Sequence, residues 1–379
     1  MENFVAYNPT RLHFGKGITD TLAKTIRPYG KKVLLVYGKG SVKKYGYYDL
    51  LVEQLNKANF EIVEYSGIKP NPVVEDVDAA AELGRKENVD MIVALGGGSV
   101  IDSAKIIALS IASGEKAWDF MKWKVAPKSS IPIIAILTLA ATGTEMNGAA
   151  VVQNDATGEK IGFVSEFNYP KHSFLDPQFT ATVPADYTAY GIVDLIAHSL
   201  EAYFGEGEAS LTDKIIFSII KDAMDWGPKL MKDLHNYELR ANIMLDATLA
   251  LNGITYYGTK GGDWGVHAIG HQLSLLFDTP HGASLSIGYP AWMKLQKDRI
   301  PERIKKLGKG VFGTETADEC IEKFTEFFSS INSPVTLDDI GLTEAQKNDF
   351  LNQMDKNGVQ GLYHSLTNDD HKDLVELMQ

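Results

Sequence analysis

Cysteine is almost missing from this sequence. Its one thiol, Cys320 in the helical stretch TADECIEKFTEFF, has no second cysteine to pair with. An internal disulfide is therefore excluded, nothing points to an oxidising compartment, and the residue reads as a core thiol. No uninterrupted run of about 18 apolar residues occurs, so no membrane-spanning helix is expected. The opening residues MENFVAYNPTRLHF lack the charged stub and apolar run of a secretory leader, and a cytoplasmic location is expected. Positive charge is scarce: 37 Lys and Arg stand against 49 Asp and Glu, a net −12. Such a surface repels nucleic acid and anionic membrane, and neither is expected as a partner.

What is present is an ordinary globular balance, 44% hydrophobic and 23% charged, over 379 residues, a length that suits two domains. The first half alternates strand and helix signals. KKVLLVY (31–37), FEIVEY (60–65), MIVAL (91–95) and IPIIAIL (131–137) read as strands. Residues 47–58, 74–86 and 101–113 carry apolar residues at helical spacing. Strands separated by helices of this length imply a parallel sheet covered on both faces. GAAVVQ and EKIGFVS flank the turn NDATG and read as a hairpin. From Pro184 onward the pattern is helical (185–203, 211–224, 237–252, 266–276, 303–307, 317–328 and a polar helical tail from 343), with almost no strand signal. The expected organisation is an α/β domain over 1–182 and an all-helical domain over 183–379.

Three loops could hold a ligand. GGGSVIDSAK (96–105) follows a strand and opens a helix. Its glycines admit a close backbone approach, and a helix start favours phosphate. It is neither the G-x-G-x-x-G fingerprint nor a P-loop, and a tight turn without a ligand is the plainer reading. Its place at the carboxyl end of a parallel strand favours a ligand, since open α/β sheets bind there. YGKGS (37–41) leaves room for a ribose or phosphate but reads equally well as plain loop. TLAATGTEMN (138–147) sets Thr138, Thr142, Thr144 and Asn147 after a buried strand, where they line a ligand or serve as turn and cap residues.

The strongest signal lies further on. GIVDLIAHSLEAY puts Asp194 and His198 four apart, on one face of a helix, and GVHAIGHQLSLLF does the same for His267 and His271. His281 follows in a segment rich in Pro and Gly, expected to be a loop. A single histidine is ordinarily a hydrogen-bonded core or surface residue, but two such pairs in apolar helices are less easily explained that way. A carboxylate among Leu195, Ile196 and Ala197 is costly to bury unless it meets a cation. Carboxylate and imidazole suit Fe, Zn, Ni or Mn, and the absence of thiolates excludes a cysteine-rich zinc site.

Taken together, these segments resemble the iron-containing alcohol dehydrogenase family. The branch the sequence looks most like contains bacterial butanol dehydrogenases and NADPH-dependent aldehyde reductases. The resemblance covers essentially the whole chain and is carried by NPTRLHFGKG, GGGSVIDSAK, TLAATGTE, FLDP, DLIAH, HAIGH and PHG. It implies a dinucleotide-binding α/β domain followed by a helical metal domain, with the site in the cleft between them, and a homodimer or larger assembly. It implies Asp194, His198, His267 and His281 as ligands of one divalent ion, Fe²⁺ first and Zn²⁺ or Ni²⁺ next. Gly97, Gly98 and Ser99 match the pyrophosphate loop, Asp102 the nicotinamide end, Asn71 a cofactor contact, and Thr138, Thr142 and Lys160 the cofactor cleft. His271 matches a histidine beside the metal, suited to proton transfer. The implied activity is interconversion of primary alcohols, butanol among them, and aldehydes by hydride transfer.

The expected cofactor is NADP(H), with NAD(H) as the alternative. Gly38, Lys39, Gly40 and Ser41 follow the first strong strand and include no acid to accept from a ribose 2′-hydroxyl, while Lys39 brings positive charge. The apolar rim with Trp264 and Phe277 favours unbranched or aromatic aldehydes over sugars. Two other readings carry weight: a dehydroquinate synthase-like lyase, disfavoured because the metal segment is apolar rather than basic, and a binding protein without catalysis. A glycerol dehydrogenase-like polyol oxidase differs in substrate alone.

Overall fold

The computed structural model describes all 379 residues. Contacts divide the chain into two compact units. One comprises Tyr7–Val183 and His235–Met244, the other Met1–Ala6, Pro184–Leu234 and Leu245–Gln379.

In the first unit six strands form a parallel sheet: β1 (Arg11–Phe14), β2 (Lys32–Gly38), β3 (Glu61–Ile68), β4 (Met91–Gly96), β5 (Ile133–Leu137) and β8 (His172–Leu175), in the order β1-β8-β5-β4-β2-β3. The continuous apolar runs are explained by burial on both faces. Val33, Leu35, Tyr37, Met91, Val93, Leu95, Ile134, Ile136 and Phe174 feed one core. Their alternating neighbours Leu34, Val36, Ile92, Ala94, Ile133, Ala135, Leu137 and Leu175 feed the other. The hairpin is the antiparallel pair β6 (Ala149–Asn154) and β7 (Glu159–Val164). Two strands, β1 and β8, escape a reading of periodicity because RLHF and HSFL are four residues each. The helix expected from residue 101 begins at Gly98 and runs to Ser113, so of the three glycines Gly96 ends β4, Gly97 is the N-cap and Gly98 opens the first turn.

The second unit is helical. Ala185–Phe204 is buried nearly all round, from Thr188 to Phe204 apart from Tyr190, as expected for a central helix. Around it lie Ser210–Lys232, Gly265–Phe277, His281–Gln296, Pro301–Val311, Ala317–Ser330, Glu344–Asn357 and Asn368–Leu377. Three of these start on capping boxes, Thr316 with Glu319, Thr343 with Gln346 and Thr367 with Asp370, which satisfy the free amides of the first turn. The helix read as 211–224 continues through Pro228 to Lys232. His281 stands not in a loop but at the first position of a 16-residue helix; Pro280, which looks like a loop residue, is its N-cap. No helix is long and apolar enough to cross a membrane.

Candidate metal and dinucleotide sites

In the helical unit, three helices converge their donors on one carboxylate. Asp194 and His198 come from Ala185–Phe204, His267 from Gly265–Phe277, and His281 opens the next helix. Asp194 Oδ1 is 3.6 Å from His198 Nδ1, 3.8 Å from His267 Nε2 and 3.6 Å from His281 Nε2. Donor atoms of Asp194, His267 and His281 lie within 4.8 Å of one another, and the His198 and His267 ring centroids are 4.8 Å apart. These separations exceed a hydrogen bond. They match ligand atoms each about 2.1 Å from a shared tetrahedral ion, which stand about 3.4 Å apart. Asp194 Oδ1, His198 Nδ1 and His267 Nε2 are buried and have no hydrogen-bond partner, a costly state for polar atoms unless a cation serves all three. The residues therefore fit a divalent ion with mixed carboxylate and imidazole ligands.

The close packing of these helices rests on glycines. A Cβ at Gly282 would lie 2.1 Å from the Tyr190 carbonyl oxygen, and one at Gly270 would lie 2.6 Å from Ser284 Oγ. Main chain thus meets main chain beside His281, which holds its ring within reach of Asp194. His271 is half-buried, with its ring centroid 5.6 Å from that of His281, and stands outside the close set.

Burial opposes ionisation of Asp194, but His198, His281 and His267 outweigh it and hold the carboxyl well below the usual range. Burial likewise disfavours a charged His267, yet Asp194 and Glu201 overcome it and raise that imidazole to about 9. His198 goes the other way, lowered by burial to about 4 despite Asp194.

In the α/β unit the loop after β4 carries residues of the second candidate site. Gly97 is the N-cap of the helix that Gly98 begins, and a Cβ on Gly98 would fall 2.7 Å from Thr142 Cγ2 and Oγ1. That close approach requires glycine and joins the glycine loop to the loop after β5. Ser99 Oγ donates to Pro70 O. Lys160 Nζ donates to Asn71 Oδ1 at 2.9 Å, and both residues are buried. Thr138 N donates to Gly96 O at 3.0 Å, tying the ends of β4 and β5. Gly38, Lys39, Gly40 and Ser41 close β2, with the Lys39 side chain exposed.

Behind the glycine loop sits a polar bracket that the sequence reading assigned only in part. Lys105, fully buried, donates to Thr144 Oγ1 (2.6 Å), Asn147 Oδ1 (3.2 Å) and Ala149 O (2.6 Å). Asp102 accepts from Thr144 Oγ1 at 2.5 Å and from Val151 N at 2.9 Å. Asn147 spends its amide nitrogen on Gly143 O and its oxygen on Lys105 and Ala149 N, so it braces the loop from within. Burial lowers the Lys105 ammonium to about 8 against the pull of Asp102 and Glu145, and burial raises Asp102 although Lys105 opposes it.

Comparison with known proteins shows the family. Residues 9–177 match the model of the iron-containing alcohol dehydrogenases, and residues 188–378 match that of the Fe-containing alcohol dehydrogenase family C-terminal region. The chain belongs to the iron-containing alcohol dehydrogenase family. Within that family it is 40% identical over 379 residues, 98% of each chain, to the probable NADH-dependent butanol dehydrogenase 1 of Bacillus subtilis. It is 34% identical to the NADPH-dependent aldehyde reductase YqhD of Escherichia coli, covering 99% of each. The crystal structure of NADH-dependent butanol dehydrogenase A from Thermotoga maritima superposes with a TM-score of 0.96 at 38% identity, covering 100% of this chain and 99% of that one.

One residue of this family member escapes a reading of the sequence, and another has a further part beside the apolar rim expected of it. Glu201, 1% exposed, accepts from the His267 ring and backbone. Its place at i+7 from Asp194 and i+3 from His198 puts it on their face of the helix, a spacing that could have revealed it. Trp264, in the left-handed region at φ 64°, caps the helix that carries His267, and its ring centroid lies 5.1 Å from that imidazole.

Proposed function

We propose that this chain is a metal-dependent NAD(P)H-linked dehydrogenase interconverting primary alcohols, butanol among them, and the corresponding aldehydes. The observation that carries the reading is the buried Asp194 carboxylate ringed by three imidazoles at 3.6 to 3.8 Å, too far for hydrogen bonds and suited to one shared cation. Asp194, His198, His267 and His281 would hold that ion, with Fe²⁺ the first choice and Zn²⁺ or Ni²⁺ accepted by the same donors. When bound, the ion supplies a Lewis acid for a carbonyl oxygen and the nicotinamide supplies the hydride.

The protein's own groups do the rest. Gly97, Gly98 and Ser99 offer backbone amides of a helix start to the cofactor's pyrophosphate. Asn71, Asp102, Thr138, Thr142 and Lys160 orient the dinucleotide. His271, beside His281 but outside the close set, gives or takes the proton on the substrate oxygen. Trp264 supplies an apolar wall that excludes water and favours alkyl or aryl aldehydes over sugars. Named relatives use NADH or NADPH. The loop after β2 favours NADPH, because Gly38, Lys39, Gly40 and Ser41 include no acid to repel a 2′-phosphate and Lys39 is exposed to meet one.

The test is turnover of butanol and butanal with each nicotinamide cofactor, before and after metal removal and reloading. Turnover should vanish with the metal and return with Fe²⁺ or Zn²⁺, while cofactor binding persists; full kcat in metal-free protein would refute the reading. His271→Ala should keep its metal and lose activity near neutral pH.

A further inference from the structure

We propose that Glu201 is the positioning residue for the metal site, aiming His267 at the ion by fixing both its tautomer and its ring. The proposal rests on the metal reading above. Glu201 is buried, and both of its carboxylate oxygens accept from the first residues of one helix. Its Oε1 accepts from the His267 backbone N at 3.1 Å and from His267 Nδ1 at 2.8 Å, while Oε2 accepts from Trp264 N at 2.5 Å.

A carboxylate facing an imidazole nitrogen accepts and does not donate, so Nδ1 must carry the hydrogen. The lone pair of His267 is then on Nε2, the atom that faces Asp194. Two backbone amides on the same carboxylate prevent it from swinging away, and the carboxylate's charge faces the positive end of the helix. The ring cannot rotate without breaking the Nδ1 hydrogen bond. A histidine ligand whose second nitrogen is held by a carboxylate is more basic and better aimed. The sequence distance of 66 residues shows that two separate helices were brought together to make this pair.

The competing account is that Glu201 merely caps the helix start. Glu201→Gln separates the two. Glutamine keeps one accepting oxygen for the backbone amides, but its amide nitrogen can only donate. Either the cap or the tautomer must then be given up. Full-length protein stripped of metal is titrated with Zn²⁺ against a chromophoric chelator, and with Co²⁺ while its visible spectrum is followed. We expect Glu201→Gln to weaken Zn²⁺ binding about 10- to 100-fold and to shift the Co²⁺ bands, whereas loss of a cap alone would lower metal-free melting and leave the Co²⁺ bands in place. Wild-type affinity and an unchanged Co²⁺ spectrum in Glu201→Gln would overturn the role. Should that variant not fold, two-bond ¹⁵N–¹H correlation on Zn²⁺-loaded wild-type protein decides. A protonated Nδ1 at His267 upholds the role, and a metal-bound Nδ1 overturns it. Wild-type protein that takes up no Zn²⁺ would instead defeat the metal reading itself, and the role with it.

Discussion

Replacing Lys105 by methionine keeps the length of the side chain and removes its charge. The ammonium is fully buried and makes three hydrogen bonds, at 2.6, 3.2 and 2.6 Å, with Asp102 close enough to raise its basicity. Methionine therefore takes a donor from three acceptors, of which Asn147 Oδ1 keeps Ala149 N, and leaves a buried carboxylate without its cation. Removing one partner of such a pair costs about 3–5 kcal/mol, and a unit of this size loses about 2–4 °C of Tm per kcal/mol. A fall on the order of 10 °C is expected, together with weaker cofactor binding, because Asp102 and Thr144 brace the glycine loop. Metal content should not change, since the Asp194 cluster belongs to the other unit. Calorimetry of Lys105→Met, Asp102→Asn and the double variant forms a cycle. Lys105→Met with Asp102→Asn should be less destabilised than the sum of the two, because neither charge is left alone. Strictly additive losses, or wild-type cofactor affinity in Lys105→Met, would refute the argument.

Asp246 offers a test of sign. It is 6% exposed, and burial first, then the neighbouring Asp222 carboxylate, push its carboxyl up to about 8. A folded pKa above the unfolded value means that unfolding releases a proton between the two, so this contribution is complete in acid and is lost as pH rises toward about 8. Asp246→Asn should flatten the pH dependence of urea unfolding and be more stable than wild type at about pH 8; a variant less stable by the same amount at all pH values would sink the idea. For the cofactor loop, Gly38→Asp should move preference toward NADH, and Lys39→Ala should raise KM for NADPH alone, each by about tenfold for about 1.4 kcal/mol; a higher wild-type kcat/KM with NADH than with NADPH contradicts the loop reading.

Much of the fold was legible because burial writes itself into composition. β4 and β5 are buried on both faces, so MIVAL and IPIIAI are apolar without interruption, and the central helix Ala185–Phe204 is buried nearly all round and apolar apart from a few polar positions. β1 and β8 were not legible, since four residues establish no period. Pro280 and Gly282 look like breakers and give the segment around His281 the signature of a loop, whereas proline suits a helix start and Gly282 admits a neighbouring backbone. Of the metal site, the two pairs at i, i+4 stood out by residue type. Glu201 did not, because a glutamate in a helix ordinarily faces water, and only its partner 66 residues away shows what it does. Lys105 was hidden for the same reason, although its spacing of three from Asp102 places both on one face.

The contact of Gly282 with Tyr190 bears on how this site could be rebuilt. There the two helices touch through bare main chain, with no side chain between them to repack. The scaffold that sets the donor positions is thus independent of the donors it carries. Exchanging the side chain at 194 or 281 would alter the hardness and charge offered to an ion while the frame keeps its dimensions. The seam makes this part of the molecule a fixed socket with interchangeable contacts, and it makes the one residue there without a side chain harder to replace than the ligands.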